Sequence, residues 1–264
     1  MLALCHFLLT KSGAYSPPPS HVFAHYAKLR TRGDFLPTSI VDIGANHGDW
    51  TKQTRVVWPL ARYFMVEAGR QHEATLRKVA SQCDHNASAY AIQMLGDARR
   101  NTTMWMSKRT SGSTNTGNSF FRESANRHLF EPRAREMLPL DDLLETRRVP
   151  PPQLLKLDVQ GAELLVLAGA PKTLPQVQVL QIELAVVQYN VGAPLWFEVH
   201  AAVEKLGFQM YDLNELIRDR DGRLIQVDVL FVRKDSPLWR RSVTGYEPPL
   251  RAFPSHECSK SSTL

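Results

Sequence analysis

The chain has 264 residues, 43% hydrophobic and 22% charged, with 32 Lys and Arg against 26 Asp and Glu for a formal charge of +6. That balance excludes a disordered chain, and no apolar run reaches the roughly 18 residues of a membrane-spanning helix. Cys5, Cys83 and Cys258 are far apart and lack CxxC spacing, which excludes a disulfide framework and a structural zinc site and favours a reducing, cytoplasmic setting.

In chain order, the opening MLALCHFLLTKSG lacks a basic segment ahead of its apolar run, and AYSPPPSH offers no cleavage site. Residues 1–35 are therefore expected to be a leader, broken at Pro17–Pro19, and a helix, HVFAHYAKLRTRG, packed on the body. Five apolar runs then read as strands: SIVDIGAN (39–46), ARYFMVEA (61–68), AYAIQMLGD (89–97), QLLKLDVQ (153–160) and VQVLQIELAVV (177–187). Between them HEATLRKVASQC, ELLVLAGAPKTL and PLWFEVHAAVEKLG read as helices. In the last, Leu195, Val199, Ala202 and Leu206 recur at helical spacing between Pro194 and Gly207. Continuous apolar strands alternating with helices predict an α/β, doubly wound, mostly parallel sheet covered on both faces. FQMYDL (208–213) and RLIQVDVLFVR (223–233) flank Asp221-Gly222, a hairpin signal, so an antiparallel pair should close the sheet. Residues 98–152, with TTMWMS, the polar loop SGSTNTGNS and Pro150–Pro152, are expected to form a lid-like insertion in a domain spanning 36–240, and 241–264 a flexible tail.

The chemistry gathers at strand ends. VDIGANHG leaves the first strand and enters a helix, the place where open α/β sheets bind nucleotide-like ligands. Gly44 and Gly48 permit tight turns, and Asn46 tolerates left-handed geometry. The dinucleotide pattern GxGxxG fails at Asn46 and Asp49, which disfavours a nicotinamide-dependent oxidoreductase, and Asp49 would repel a pyrophosphate. A ligand carrying a cation suits the loop better. Glu67, at the end of the second strand, is placed to accept hydrogen bonds from a ribose diol, and Asp97 ends the third run. Acids at strand ends also cap helices, so each of them alone has that second reading.

In this order, VDIGANHGDWT, VEA, LLKLDVQGAELLVLAGA, LQIELAVVQYNVGAPLWFEV and GRLIQVDVLFVR resemble the FkbM-type methyltransferase family over roughly residues 36–234. The resemblance implies a class I, Rossmann-like S-adenosylmethionine-dependent methyltransferase, with seven strands and an antiparallel last hairpin. It implies that Asp42, Gly44, Asn46 and Gly48 surround the methionine part of the cofactor. Glu67 would hold the ribose, and Asp97 would stand near the adenine. The second strand ends Val66-Glu67-Ala68 where VEP is expected, and the ribose carboxylate is kept.

Methyl transfer from a sulfonium to a hydroxyl needs in-line alignment and a base. Asp158, Glu183 and Asp228 are the base candidates, and Glu163 reads as a first-turn helix acid. Asp158 with Glu183 could instead hold a divalent cation, for which no further ligand spacing argues; no metal ligands are assigned. His47 is a loop residue within reach of a substrate or of solvent, and Trp50 packs on the cofactor or on the sheet. Asp158-Val159-Gln160-Gly161 stands where nucleobase amine methyltransferases carry an Asn/Asp-Pro-Pro-aromatic motif, so DNA is not expected as a partner. The resemblance implies O-methylation of a hydroxyl on a sugar, glycan or natural product, with STNTGNS (113–119) as a possible sugar contact. The competing reading is a non-catalytic cofactor-binding module that meets a partner through its basic surface or the 98–152 region.

Overall fold

A computed structural model describes residues 21–82, 88–108, 117–124 and 127–240. The expected leader with its prolines, the three cysteines, loop residues 113–116 and the tail from 241 lie outside the described residues. The elements in order are α1 (His21–Gly33), β1 (Ser39–Ile43), α2 (Asp49–Val57), β2 (Arg62–Glu67), α3 (Glu73–Ser81), β3 (Ala89–Ile92), β4 (Met94–Leu95), β5 (Arg100–Ser107) and β6 (Arg122–Glu123). Then follow β7 (Phe130–Leu138), α4 (Leu140–Arg147), β8 (Leu154–Leu157), α5 (Glu163–Ala168), β9 (Val179–Ala185), β10 (Asn190–Val191), α6 (Trp196–Lys205), β11 (Phe208–Arg218) and β12 (Leu224–Arg233).

Seven strands form the main sheet in the order β11-β12-β9-β8-β1-β2-β3. The pairs from β9 to β3 are parallel, and β12 runs antiparallel to both β9 and β11. From β1 the chain winds outward to β2 and β3, then returns to β8 and winds the other way. That reversal creates a crevice at the carboxyl ends of β1 and β8. Period-two alternation sorts the side chains. Val41, Val66, Leu155, Ile182 and Phe231 face a core built with α4, α5 and α6, whereas Ile40, Leu154, Val179, Leu230 and Val232 pack on α1 and α2 through Tyr26, Leu29 and Val57.

The third apolar run differs from its sequence reading. It splits into β3 and β4, and β4 belongs to a separate three-stranded sheet, β4-β7-β5. The break falls at Gln93, whose backbone N–H makes the last contact with β2, to the Glu67 carbonyl, while its side chain donates to the Glu136 carbonyl of β7. Residues 98–152 also hold more than an insertion. Leu140, Leu143 and Leu144 of α4 are buried in the main core, so only the part ahead of α4 stands apart from the sheet.

Candidate active site

A cavity of about 340 Å³ opens at the carboxyl edge of the sheet. Its lining includes Gly44 and Asn46 after β1, Glu67 at the end of β2, Gln93 to Leu95, Asp158 and Gln160 after β8, Glu183 of β9 and Gln226 of β12. The β1 loop is held in shape by its own backbone. Gly44, Asn46 and Gly48 have φ of 75°, 48° and 72°, and the Gly44 and Ala45 N–H groups both donate to the Val66 carbonyl. A Cβ on Gly44 would lie 1.7 Å from the Asp158 carbonyl oxygen, so β1 and β8 can approach this closely only with glycine there.

Glu67 accepts the N–H of Asn46 at 2.9 Å and that of Gly69 at 2.8 Å. Burial raises its pKa, and these two hydrogen bonds pull the other way. The Oδ1 of Asn46 is buried beside the cavity with no hydrogen-bond partner among the described residues. An acceptor of this kind needs a donor from a ligand or water.

Below the floor sits a charge cluster that sequence reasoning missed. Lys156 points from β8 between Asp42 and Asp158, 3.2 Å from each carboxylate, and reaches the Gly44 carbonyl at 3.3 Å. Burial opposes its charge, but Asp158 and Asp42 outweigh it and its pKa is raised. Asp42 is fully buried, accepts the Thr51 hydroxyl at 2.7 Å, and does not line the cavity. The available signal was a lysine inside the otherwise apolar run LLKL, in register with Asp42 on the neighbouring strand.

Asp158 and Glu183 are linked through one side chain. The Gln160 amide donates to Asp158 at 3.1 Å and to Glu183 at 2.6 Å, and Gln226 donates to Glu183 and to the Tyr189 hydroxyl. Glu183 has its pKa raised well above the usual value, by burial first and then by the charges of Asp158 and Asp228. Glu163, nearly fully buried at the start of α5, receives the N–H groups of Val159 and Gly161 and thereby shapes this loop. Among the described residues no group of three or more His, Cys, Asp or Glu side chains gathers as a metal site.

The other expected residues stand elsewhere. Asp97 follows β4, two residues past the cavity-lining Leu95, and pairs with Arg100 at 2.8 Å. Gly48 lies behind the loop, where a Cβ would meet Met65 and Val79 at 3.2 Å. Asp228 does not line the cavity either; it accepts the Gln181 amide at 2.6 Å, and burial pushes its pKa up to about 6. Trp50 packs on the sheet side, its indole N–H shared between Gln181 and Tyr26. His47 meets His72, a cavity residue, edge to face at 4.6 Å. Within the polar loop, Asn118 and Ser119 line the cavity but are engaged by the fold, Asn118 accepting the Ser107 N–H and Ser119 donating to the Gln160 carbonyl.

Glu67, Asp158 and Glu183 line the cavity while no Lys or Arg does, among the described residues. Such a site favours a cationic ligand. The strand order, the closing antiparallel pair and the glycine loop at the reversal point together define the class I methyltransferase architecture. Residues 42–210, more than half of the chain, match the Methyltransferase FkbM domain, and the chain belongs to this family of S-adenosylmethionine-dependent methyltransferases.

Solved structures similar to it include precorrin-6y C5,15-methyltransferase of Geobacter metallireducens GS-15, at 12% identity and TM-score 0.41 over 80% of this chain and 87% of that one. Magnesium protoporphyrin IX methyltransferase of Synechocystis PCC 6803, with bound SAM, matches at 11% and 0.43 over 80% and 77%. Ribosomal protein L11 methylase of Lactobacillus delbrueckii subsp. bulgaricus matches at 12% and 0.42 over 80% and 77%. No curated protein sequence matches the chain. No helix among the described residues is long and apolar enough to cross a membrane.

Proposed function

We propose that the protein methylates a hydroxyl group of a small-molecule or glycan acceptor, with residues 36–240 as the methyltransferase domain and Glu183 as the base. The observation that carries this reading is the acidic cavity, free of Lys and Arg among its described lining, in which the Gly44 loop, Glu67 and the Asp158–Glu183 pair converge. The residues fit the cofactor on two counts. Gly44 leaves room for close backbone approach, and the unpartnered Asn46 Oδ1 is an acceptor suited to an ammonium group. When bound, S-adenosylmethionine supplies an electrophilic methyl group.

The chain's own residues supply the rest. Glu67 offers its remaining lone pairs to the ribose hydroxyls while it holds the Asn46 and Gly69 N–H groups. Asp158, kept in place by Lys156 and Gln160, would help hold the cationic donor through its negative charge. Glu183 takes the hydroxyl proton. Its raised pKa makes it a stronger base than an ordinary carboxylate once ionised, and the two glutamine amides fix its direction.

Calorimetry with S-adenosylmethionine and S-adenosylhomocysteine, followed by transfer of a tritiated methyl group to a panel of hydroxylated acceptors, tests the reading. Saturable binding with label stable to mild base on an acceptor oxygen is expected. Absence of binding at millimolar cofactor would overturn it.

A further inference from the structure

The short pair β6-β10 stands outside the seven-stranded sheet, yet residues around it reach Glu183 by two routes. The first runs through the backbone of Gln160. Its carbonyl accepts Ser119 Oγ at 2.7 Å and Asn190 Nδ2 at 2.8 Å. Ser119 stands ahead of β6, Asn190 begins β10, and both are buried. Ser119 Oγ accepts the Phe121 N–H at 2.9 Å, which turns its own proton towards Gln160. Gln160 has a φ of +56°, a left-handed conformation that a residue with a Cβ keeps only where its surroundings impose it. Glu163 takes the N–H groups of Val159 and Gly161 on either side, so the Gln160 backbone is clamped from both sides of the loop. The second route runs through Tyr189. Its carbonyl accepts the N–H of Ser124 at 2.9 Å and the Ser124 hydroxyl at 3.1 Å, and its hydroxyl accepts the Gln226 amide.

Both routes end on one atom. Gln160 and Gln226 each donate to Oε1 of Glu183, and among the described residues both hydrogen bonds of this carboxylate fall there. Oε2 is left to the cavity that Glu183 lines. An amide nitrogen only donates, so Oε1 has to remain an acceptor and a proton enters at Oε2.

We propose that Ser119 and Asn190 are positioning residues for methyl transfer: by fixing the Gln160 carbonyl they aim its amide at Glu183 Oε1 and make Oε2 the oxygen that receives the acceptor's proton. The acceptor O–H bond breaks, an O–H bond forms at Oε2, and the electron pair left on the acceptor oxygen takes the methyl group. This rests on the reading of Glu183 as the base and adds the distant residues that select its reacting oxygen. Glu183 is faced by Asp158, Asp228 and Glu163, which oppose its ionisation, by Lys156, which favours it, and by the Tyr189 hydroxyl beyond Gln226. Against the acids, the amide donors stabilise the ionised form, so a lost donor raises the pH at which Glu183 titrates.

That titration is followed by carbon-13 NMR of side-chain-labelled glutamate in the full chain, with the Glu183 signal identified by its loss in Glu183→Gln. Cooperative unfolding in urea controls for folding. Ser119→Ala and Asn190→Ala should each raise the midpoint by at least about 0.5 pH unit, and Gln160→Met, which removes the amide itself, by no less. Added to Gln160→Met, Ser119→Ala should move the midpoint by less than about 0.2 pH unit, because the hydroxyl acts through that amide. A purely structural role would weaken folding and leave the midpoint in place. Unchanged midpoints in both alanine variants, or an undiminished Ser119→Ala shift in the Gln160→Met background, would overturn the proposal. So would failure of both alanine variants to fold, since the two side chains would then hold the fold rather than the base. Methyl transfer by Glu183→Gln at the native rate would refute the base, and the proposal with it; persisting midpoint shifts would mark that outcome as a failure of the base and not of the hydrogen-bonded hold.

Discussion

Glu163 allows a direct test of how the loop after β8 is built. It is 3% exposed, and its Oε1 accepts the N–H groups of Val159 and Gly161, each at 3.1 Å. Burial outweighs those hydrogen bonds and raises its pKa from 4.5 to about 7. The folded protein therefore holds this proton more tightly than the unfolded chain does. Stability from this group is full below about pH 4.5 and is lost as pH rises through about 7. At about 1.4 kcal/mol per pH unit, the loss amounts to about 3 kcal/mol. Glu163→Gln keeps an oxygen acceptor for both N–H groups and removes the titration. The unfolding free energy of the variant relative to the native protein should climb across that window and level off above it. Urea titrations at several pH values measure the difference; the parallel contribution of Asp228 cancels in it, and that of Glu183 is smaller in the variant because the Glu163 charge helps to raise its pKa. Parallel profiles for the two proteins would refute the argument, because a carboxylate that titrates alike in the folded and unfolded states cannot be held protonated by burial.

Three further outcomes follow from the site. Gly44→Ala should abolish S-adenosylhomocysteine binding in calorimetry and lower Tm, because its Cβ would collide with the Asp158 carbonyl and its φ is +75°; normal binding would refute the close approach of β1 and β8. Lys156→Met should cost about 3–5 kcal/mol in denaturant unfolding by leaving Asp42 buried without its counter-charge, and adding Asp42→Asn should recover part of that loss if the ion pair is the cause. Glu183→Gln should slow methyl transfer about 100-fold or more while S-adenosylhomocysteine affinity changes by less than about threefold. In the native enzyme the rate should rise with pH as the raised Glu183 pKa is passed and the base ionises; an unimpaired Glu183→Gln would remove it from this role.

Much of the scaffold is legible along the chain because it depends on local periodicity and turn chemistry. Four of the five apolar runs, the α6 pattern around Val199 and Val203, and the Asp221-Gly222 turn each encode their own element. Gly222 adopts a φ of +80° between β11 and β12. The left-handed Asn46 and the glycines of the β1 loop follow from the same local constraints. The third run shows the limit of this reasoning. An apolar run of nine residues carries no mark of the point where it changes sheets, since that point is set by Gln93 bonding to β2 on one side and β7 on the other.

Composition and period by themselves determined the α/β class and the antiparallel close of the sheet, and the resemblance carried by the ordered motifs pointed to the methyltransferase family. They also determined which acids stand at strand ends. Tertiary structure decided which of those acids share a cavity. Asp158 and Glu183 are brought together by the Gln160 amide, Asp42 is drawn beneath the floor by Lys156, and Asp228 is held by Gln181. Each of these outcomes depends on strand register and on partners that lie far away in sequence or on other strands. Spacing along the chain places a carboxylate at an edge, but only the packed sheet settles which neighbour neutralises it and which cavity it faces.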